Sequence, residues 1–418
     1  MKVRINKSEL RGRVVAPPSK SYTIRSLMCA ALARGKSRII NPLLSDDTEA
    51  ASEALGKVGI RIEKKDGYWE VFGGRFHAPE GDIYCRESAA TLRFMTALSA
   101  IIPGKCRLVP GPSLARRPIE PLITAMNKLK IKCYMEGSTV VVDEGKFWGG
   151  NVSMRGDVSS QFVSALLFLC PVVEAGLNIR LTTPPASGPY IEMTLGCMKE
   201  FGIDMIASPT LQFFTSDFRP YKTADYTVEG DWSSASYLLA AGAMTGSIAV
   251  TDLNLNSLQA DRVIVNLLGK MGASMQTKRD VVTASRSNFK ALKADLTDCI
   301  DLLPTIAMVA AMAEGQSLFY GIRRARFKES NRVTAIKEGL KRMNIPVVEK
   351  DDSLVITGGK PVGATINSYG DHRIAMAFSL LGAAVGNTTI EGAESVSKTY
   401  PQFWQTLESL GAKVEYDV

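Results

Sequence analysis

The chain has 418 residues, 45% apolar and 22% charged, which is ordinary composition for a soluble globular protein, and its length suits two domains of about 200 residues better than one core. Fifty Lys and Arg against 42 Asp and Glu leave a net charge of +8; this mild excess favours acidic small molecules over nucleic acid, because there is no basic tail and no basic run interleaved with aromatics. Seven scattered cysteines without a Cys-x-x-Cys pair, and only two histidines, argue against a disulfide framework and a zinc cluster and fit the reduced thiols of a cytoplasmic protein.

Residues 1–15 are charged throughout and lack the apolar core of a signal peptide. The first helix is predicted after Pro17-Pro18, with Ser19 or Ser21 as its cap. Ile24, Leu27, Met28 and Ala31 form its apolar face, and Ser21 and Arg25 share another face at i,i+4. A phrase then recurs six times: Leu-Gly-Lys-Val-Gly-Ile-Arg-Ile at 55–62, Met-Asn-Lys-Leu-Lys-Ile-Lys-Cys at 126–133, Met-Lys-Glu-Phe-Gly-Ile-Asp-Met at 198–205, Leu-Gly-Lys-Met-Gly-Ala-Ser-Met at 268–275, Leu-Lys-Arg-Met-Asn-Ile-Pro-Val at 340–347 and Leu-Glu-Ser-Leu-Gly-Ala-Lys-Val at 407–414. Each reads as a helix end, a turn residue and an alternating strand. The turns fall at Gly59, Lys130, Gly202, Gly272, Asn344 and Gly411, and Gly and Asn are the residues that end helices in the left-handed conformation. A fixed period implies copies of one supersecondary unit, here six α/β units, dividing into three and three. The apolar stretches at 162–173 and 300–313 are shorter than the roughly 18 residues of a membrane span, and Pro171 and Pro304 interrupt them.

Cations gather where helices are predicted to begin. Lys20 and Arg25 lie in the first, Arg116 and Arg117 stand before Pro118 as the first residue of another, and Lys328 and Arg332 flank a third start. Asp371, as cap, introduces His372 and Arg373, and Lys398 leads into a fifth; residues 157–162 open a sixth with Ser159, Ser160 and Gln161 instead. A helix N-terminus already carries about half a positive charge, so each cation there costs a few tenths of a kcal/mol. One such cation reads as a solvated surface charge, whereas five in equivalent places point to an anionic ligand carrying phosphate and carboxylate groups. If two three-unit domains face each other, these starts meet in a cleft. No Gly-x-Gly-x-x-Gly or Gly-x-x-x-x-Gly-Lys-Ser/Thr motif supports a nucleotide cofactor. Among the acids, Asp301 is either the cap of the apolar helix that follows it or an ionised base. Glu329 is either the ion-pair partner of its neighbours or a catalytic group. His372 is either a switchable acid or a capping-turn residue, and His77 lies in a polar loop with no expected role.

Together with the six repeats, Ser19-Lys20-Ser21, Arg117-Pro118-Ile119, Ser159-Ser160-Gln161, Asp371-His372-Arg373 and Lys398-Thr399, in this order, resemble the 5-enolpyruvylshikimate-3-phosphate (EPSP) synthases of the enolpyruvyl transferase family. The resemblance implies an α/β fold of two similar domains, each of three β-α-β-α-β-β units with parallel helices packed inside, an inside-out α/β barrel. It implies domains at 1–18 plus 232–418 and at 19–231, with chain crossings near 17–19 and 229–232 and the site in the interdomain cleft. The implied reaction transfers the enolpyruvyl group of phosphoenolpyruvate to the 5-hydroxyl of shikimate 3-phosphate, releasing phosphate. It needs no metal or cofactor and serves chorismate and aromatic amino acid biosynthesis. A cytoplasmic monomer with small-molecule substrates, and with no nucleic-acid or membrane partner, is expected.

By matching position, the resemblance assigns Lys20, Ser21, Arg25, Ser159, Ser160, Gln161, Ser187, Tyr190, Asp301 and Lys328 to shikimate 3-phosphate. It assigns Lys20, Ala89, Arg117, Gln161, Arg332, His372, Arg373 and Lys398 to phosphoenolpyruvate. Asp301 matches the acceptor of the hydroxyl proton, Glu329 and Lys398 match candidates for proton delivery to C3, and Lys20 completes the catalytic set. Residues 85–93 depart from a loop usually read as Gly-Asn/Glu-Ala/Ser-Gly-Thr-x-x-Arg: Arg86 and Ala89 replace glycines and Ala90 replaces Thr. The Ala89 methyl is expected to narrow the phosphoenolpyruvate pocket and confer resistance to glyphosate, an inhibitor of that pocket. Arg324 stands where an Asn often contacts the sugar, and Asn331 where an Asp is usual. The sister family that uses UDP-N-acetylglucosamine carries a reactive Cys five residues before the Arg of Arg-Pro, and here that position is Pro112. An RNA-binding α/β repeat protein would need exposed stacking aromatics among the cations, and none clusters there.

Overall fold

In the computed structural model, residues 1–143 and 147–417 are described. Six four-stranded sheets share one topology. In the sheet of Lys293–Asp295, Gln316–Tyr320, Val347–Glu349 and Ser353–Thr357, the first two strands pair in parallel, the second pairs antiparallel with the fourth, and the fourth with the third. The chain order in this copy is β-α-β-α-β-β, with helix Leu303–Ala311 after the first strand and helix Arg332–Arg342 after the second. Parallel strands require a crossover, and a helix supplies it.

Each repeat carries two kinds of helix. Trp232–Thr245, Leu303–Ala311 and His372–Val385 are apolar on nearly every side and lie in one core; Lys20–Leu32, Ala89–Leu98 and Ser160–Leu167 occupy the other. A helix that is apolar all round must be buried, which places these six inside their sheets. Helices such as Glu120–Lys128 and Arg332–Arg342 bury one stripe only. All six repeat turns adopt positive φ: Gly59 +95°, Lys130 +63°, Gly202 +79°, Gly272 +97°, Asn344 +63° and Gly411 +101°.

The chain forms two compact units, Met1–Pro17 with Glu229–Val418, and Pro18–Val228. The first unit recruits both N-terminal strands. Lys2–Asn6 lies between Thr388–Glu391 and Lys413–Tyr416, and Arg11–Val15 is the parallel edge beside Ser247–Thr251. In the second unit, Asp225–Thr227 returns from the far end of the segment to pair in parallel with Gly35–Ile40. No helix among the described residues is long and apolar enough to cross a membrane.

Candidate active site

In the unit Pro18–Val228, the starts of the three inner helices are fixed by serine caps. The Ser19 hydroxyl accepts from Tyr22 N, that of Ser88 from Thr91 N and that of Ser159 from Gln161 N. Ser19 is therefore the cap of the first helix, and Ser21 lies inside it. Lys20, the first helical residue, reaches Asp47 at 3.0 Å. Arg25, one turn further on, is almost wholly buried. Its Nε donates to Thr194 Oγ1 (2.9 Å), Nη1 to the Ser21 carbonyl (3.0 Å) and Nη2 to the Tyr190 carbonyl (3.1 Å). The Phe94 and Tyr190 rings flank it at 5.6 and 6.0 Å. No carboxylate pairs with Arg25 among the described residues, and burial lowers its pKa. A buried cation without a counter-charge is expensive, and an anionic ligand relieves that cost.

Arg93, the last residue of the 85–93 loop motif, organises the next helix starts. Its Nη1 donates to Gln161 Oε1 (2.7 Å) and to Ser159 Oγ (3.4 Å), and its Nη2 to the Pro118 carbonyl (3.2 Å). It therefore ties Ser159 and Gln161 to the segment that carries Arg117. Pro118 is not the first helical residue: the helix begins at Glu120, with Pro121 in its first turn, and the Glu120 carboxylate accepts from Ile119 N. Glu87 caps the turn Leu114–Arg116 by accepting from Ser113 N (3.1 Å) and Leu114 N (2.8 Å). Arg86 keeps φ at +47°, a left-handed conformation that favours glycine. Ala89 is buried as the first residue of its helix, and Ser187 holds φ at +57° before the helix that carries Tyr190.

In the other unit, Arg332 is the hub. Its side chain is 1% exposed; Nε donates to Asp371 Oδ2 (2.8 Å), Nη1 to Asp301 Oδ1 (2.8 Å) and Nη2 to Glu329 Oε2 (2.5 Å). Arg373 Nη2 and Lys328 Nζ each lie 3.2 Å from an Asp301 oxygen. Burial alone would raise the Asp301 pKa, but Arg373, Lys328 and Arg332 outweigh it and hold the carboxyl well below the usual range. Asp301 is thus an ionised carboxylate in a cationic pocket. It is not a helix cap: it lies in the turn Ile300–Leu302, and Leu302 precedes the helix. Asp371 does cap its helix, accepting from Arg373 N at 2.9 Å, and it also accepts from Ser330 Oγ at 3.0 Å.

The helix predicted around Lys328 starts at Arg332, because the Asn331 side chain caps it by accepting from Thr334 N at 3.2 Å. Asn331 therefore has a local structural task, and Arg324 donates to the Thr297 carbonyl. Lys328, Arg117 and Lys398 stand in segments before their helices, so the helix-dipole argument applies to Lys20, Arg332 and Arg373 only. Lys398 Nζ donates to the Gly370 carbonyl at 3.1 Å, beside the cap residue Asp371. His372 is buried at the first helical position, and His77 is exposed in its loop.

The family model described as EPSP synthase (3-phosphoshikimate 1-carboxyvinyltransferase) matches residues 5–407. A 3-phosphoshikimate 1-carboxyvinyltransferase of Dehalococcoides mccartyi is 50% identical over 420 residues, covering 100% of both chains. One of Methanocaldococcus jannaschii is 40% identical over 417 residues, covering 97% of each. Among solved structures, EPSP synthase from Acinetobacter baumannii superposes with a TM-score of 0.83 at 23% identity over 99% of both chains. The enolpyruvyl transferase NikO from Streptomyces tendae gives 0.82 at 18% identity, over 99% of this chain and 98% of its own. These two show likeness of fold.

Proposed function

We propose a division of labour among these side chains from one premise: the chain belongs to the EPSP synthase family. The reaction is transfer of the enolpyruvyl group of phosphoenolpyruvate to the 5-hydroxyl of shikimate 3-phosphate. That hydroxyl adds to C2 while C3 gains a proton, and the tetrahedral intermediate then expels phosphate. UDP-N-acetylglucosamine as acceptor is not favoured, and Pro112 occupies the position of the sister family's reactive Cys.

Within this reaction, Arg25, Ser21, Tyr190, Ser187, Ser159, Ser160 and Gln161 take shikimate 3-phosphate, with Lys20, Lys328 and Asp301 beside it. The buried Arg25 guanidinium, which no carboxylate neutralises among the described residues, is the observation that carries this half. Arg117, Arg332, Arg373, Lys398 and Lys20 take the phosphate and carboxylate of phosphoenolpyruvate. Gln161 bridges the two ligands, and Ala89 and His372 shape the pocket. Asp301 accepts the 5-hydroxyl proton. It is already ionised, and the three cations that hold it so also make it a weak base, so its role is to be oriented rather than strongly basic. Glu329 and Lys398 are the two groups suited to deliver the C3 proton. Arg332 and Arg373 then stabilise the anionic intermediate without reorganising. Arg93 is a positioning residue that aims Gln161 and Ser159.

The test is phosphate release from phosphoenolpyruvate, with and without shikimate 3-phosphate, for the wild type and Asp301→Ala. Release that needs shikimate 3-phosphate and falls by about 10²–10⁴-fold in the variant supports the assignment. Undiminished release in the variant removes Asp301 as the base.

A further inference from the structure

One buried acid stands outside the set just described. The segments that precede the outer helices carry Arg117, Lys328 and Lys398 in three repeats; in a fourth, the turn Ala260–Val263 before helix Ile264–Lys270 carries Asp261. Asp261 is 1% exposed. Ser233 Oγ donates to its Oδ2, while Oδ1 has no hydrogen-bond partner among the described residues. Among the described residues no cation forms an ion pair with it, and Arg373 acts on it only through space. The groups facing it come from three other elements: Asp231 and Ser233 at the start of helix Trp232–Thr245, Asp301 and Cys299 around the turn Ile300–Leu302, and Arg373 at the start of helix His372–Val385. Two are carboxylates, one is a thiol, and the single cation, Arg373, is already engaged by Asp301.

We propose that Asp261 is a positioning residue that carries a proton while the enzyme holds its anionic substrates, and that its ionisation weakens anion binding at Arg373 while raising the proton affinity of Asp301. The inference rests on the assignment of Arg373 and Asp301 made above. The argument is electrostatic. A buried carboxyl with one hydroxyl donor and an idle oxygen is poorly suited to bear charge. Burial, and after it Asp301, push its pKa up to about 7, so it changes charge near neutrality. Once ionised, it adds a negative charge beside the guanidinium that meets phosphoenolpyruvate. By linkage, an anion bound at Arg373 favours the protonated form. The same negative charge makes proton loss to Asp301 more favourable, so binding and proton abstraction respond to Asp261 in opposite senses.

The experiment measures KM for phosphoenolpyruvate and kcat from pH 5.5 to 8.5 in the wild type, Asp261→Asn and Ser233→Ala. In the wild type, KM is expected to rise about sixfold or more through neutrality, the effect of a unit charge within about 15 Å of an anion at an effective dielectric constant of about 20. Asp261→Asn is expected to flatten that rise and lower kcat at high pH. Ser233→Ala keeps the carboxyl but removes the bond that favours its charged form, so the KM rise should move to higher pH. A structural role alone would not move it. KM profiles of Asp261→Asn and wild type that superpose overturn the inference, as does an unmoved midpoint in Ser233→Ala, which decides the matter if Asp261→Asn does not fold. An Arg373→Ala variant with unchanged KM strikes instead at the underlying assignment.

Discussion

At the scale of single residues, the site is a set of charges whose costs are met by one another. Arg332 meets three carboxylates and has almost no access to water, so Arg332→Ala leaves Asp301, Glu329 and Asp371 without their shared partner. Breaking a buried pair in this way costs about 3–5 kcal/mol; urea unfolding should show that loss alongside loss of turnover. The acids also set a pH dependence with two opposite signs. Asp301 has a depressed pKa in the fold, so its contribution is present above its unfolded value of about 3.9 and disappears as pH falls. Asp261, raised to about 7, works the other way. Between its unfolded value and 7 the folded state binds the extra proton, so stability declines as pH rises through that window. Asp261→Asn should remove a decline on the order of a few kcal/mol between pH 4 and 7; identical stability profiles would contradict the raised pKa. At Ala89 the expectation concerns size. The Cβ stands at a buried helix start, and Ala89→Gly should make the enzyme more sensitive to glyphosate, with equal inhibition of both forms removing the idea.

Elements were legible in the sequence where their cause is local. The repeated turns are of this kind: a helix end followed by an alternating strand needs a left-handed residue between them, and all six positions have it. Lys130 and Asn344 adopt φ of +63° despite their side chains, and both are exposed. Lys130→Gly should therefore stabilise by about 0.5–1 kcal/mol, measured as a rise in Tm, and Asn344→Gly by less, because Asn tolerates this region. A lower Tm for Lys130→Gly would mean that its chain entropy outweighs the strain. The helix starts were less legible, because a cap several residues downstream can claim them: Asn331 moved one from Lys328 to Arg332, and Ile119 with Glu120 moved another past Pro118. The ion cluster was legible only in its membership. Spacing showed Glu329 near Arg332, but Asp301 and Asp371 reach the same guanidinium from 31 and 39 residues away. Asp261 and Arg93 carried no signal strong enough to separate them from a turn acid and a helix cation. Only burial and their partners give them roles.

At the scale of the whole molecule, sequence periodicity reports the repeat but not how the chain closes each sheet. Every sheet has the same four-strand order, yet three are completed by strands from elsewhere in the chain. Asp225–Thr227 closes the sheet begun by Gly35–Ile40, and both strands belong to the continuous segment Pro18–Val228. That segment contains all the strands of its three sheets, so a fragment of 18–228 should fold alone and unfold cooperatively. The rest of the chain differs. Without residues 1–17, the sheet of Thr388–Glu391 and Lys413–Tyr416 loses the strand between them, and Ser247–Thr251 loses its parallel neighbour. Val3, Ile5 and Leu10 would also leave the core. Fully burying one such side chain is worth about 1.5–3 kcal/mol, so three approach the whole stability of a typical domain, about 5–15 kcal/mol. A fragment of 229–418 should therefore be unfolded or aggregated, and joining 1–17 to its C-terminus through a flexible linker should restore it if the linker spans the distance. Circular dichroism and thermal unfolding of the three fragments decide the point. A cooperatively folded 229–418 would show that the two N-terminal strands only decorate a core that is complete without them.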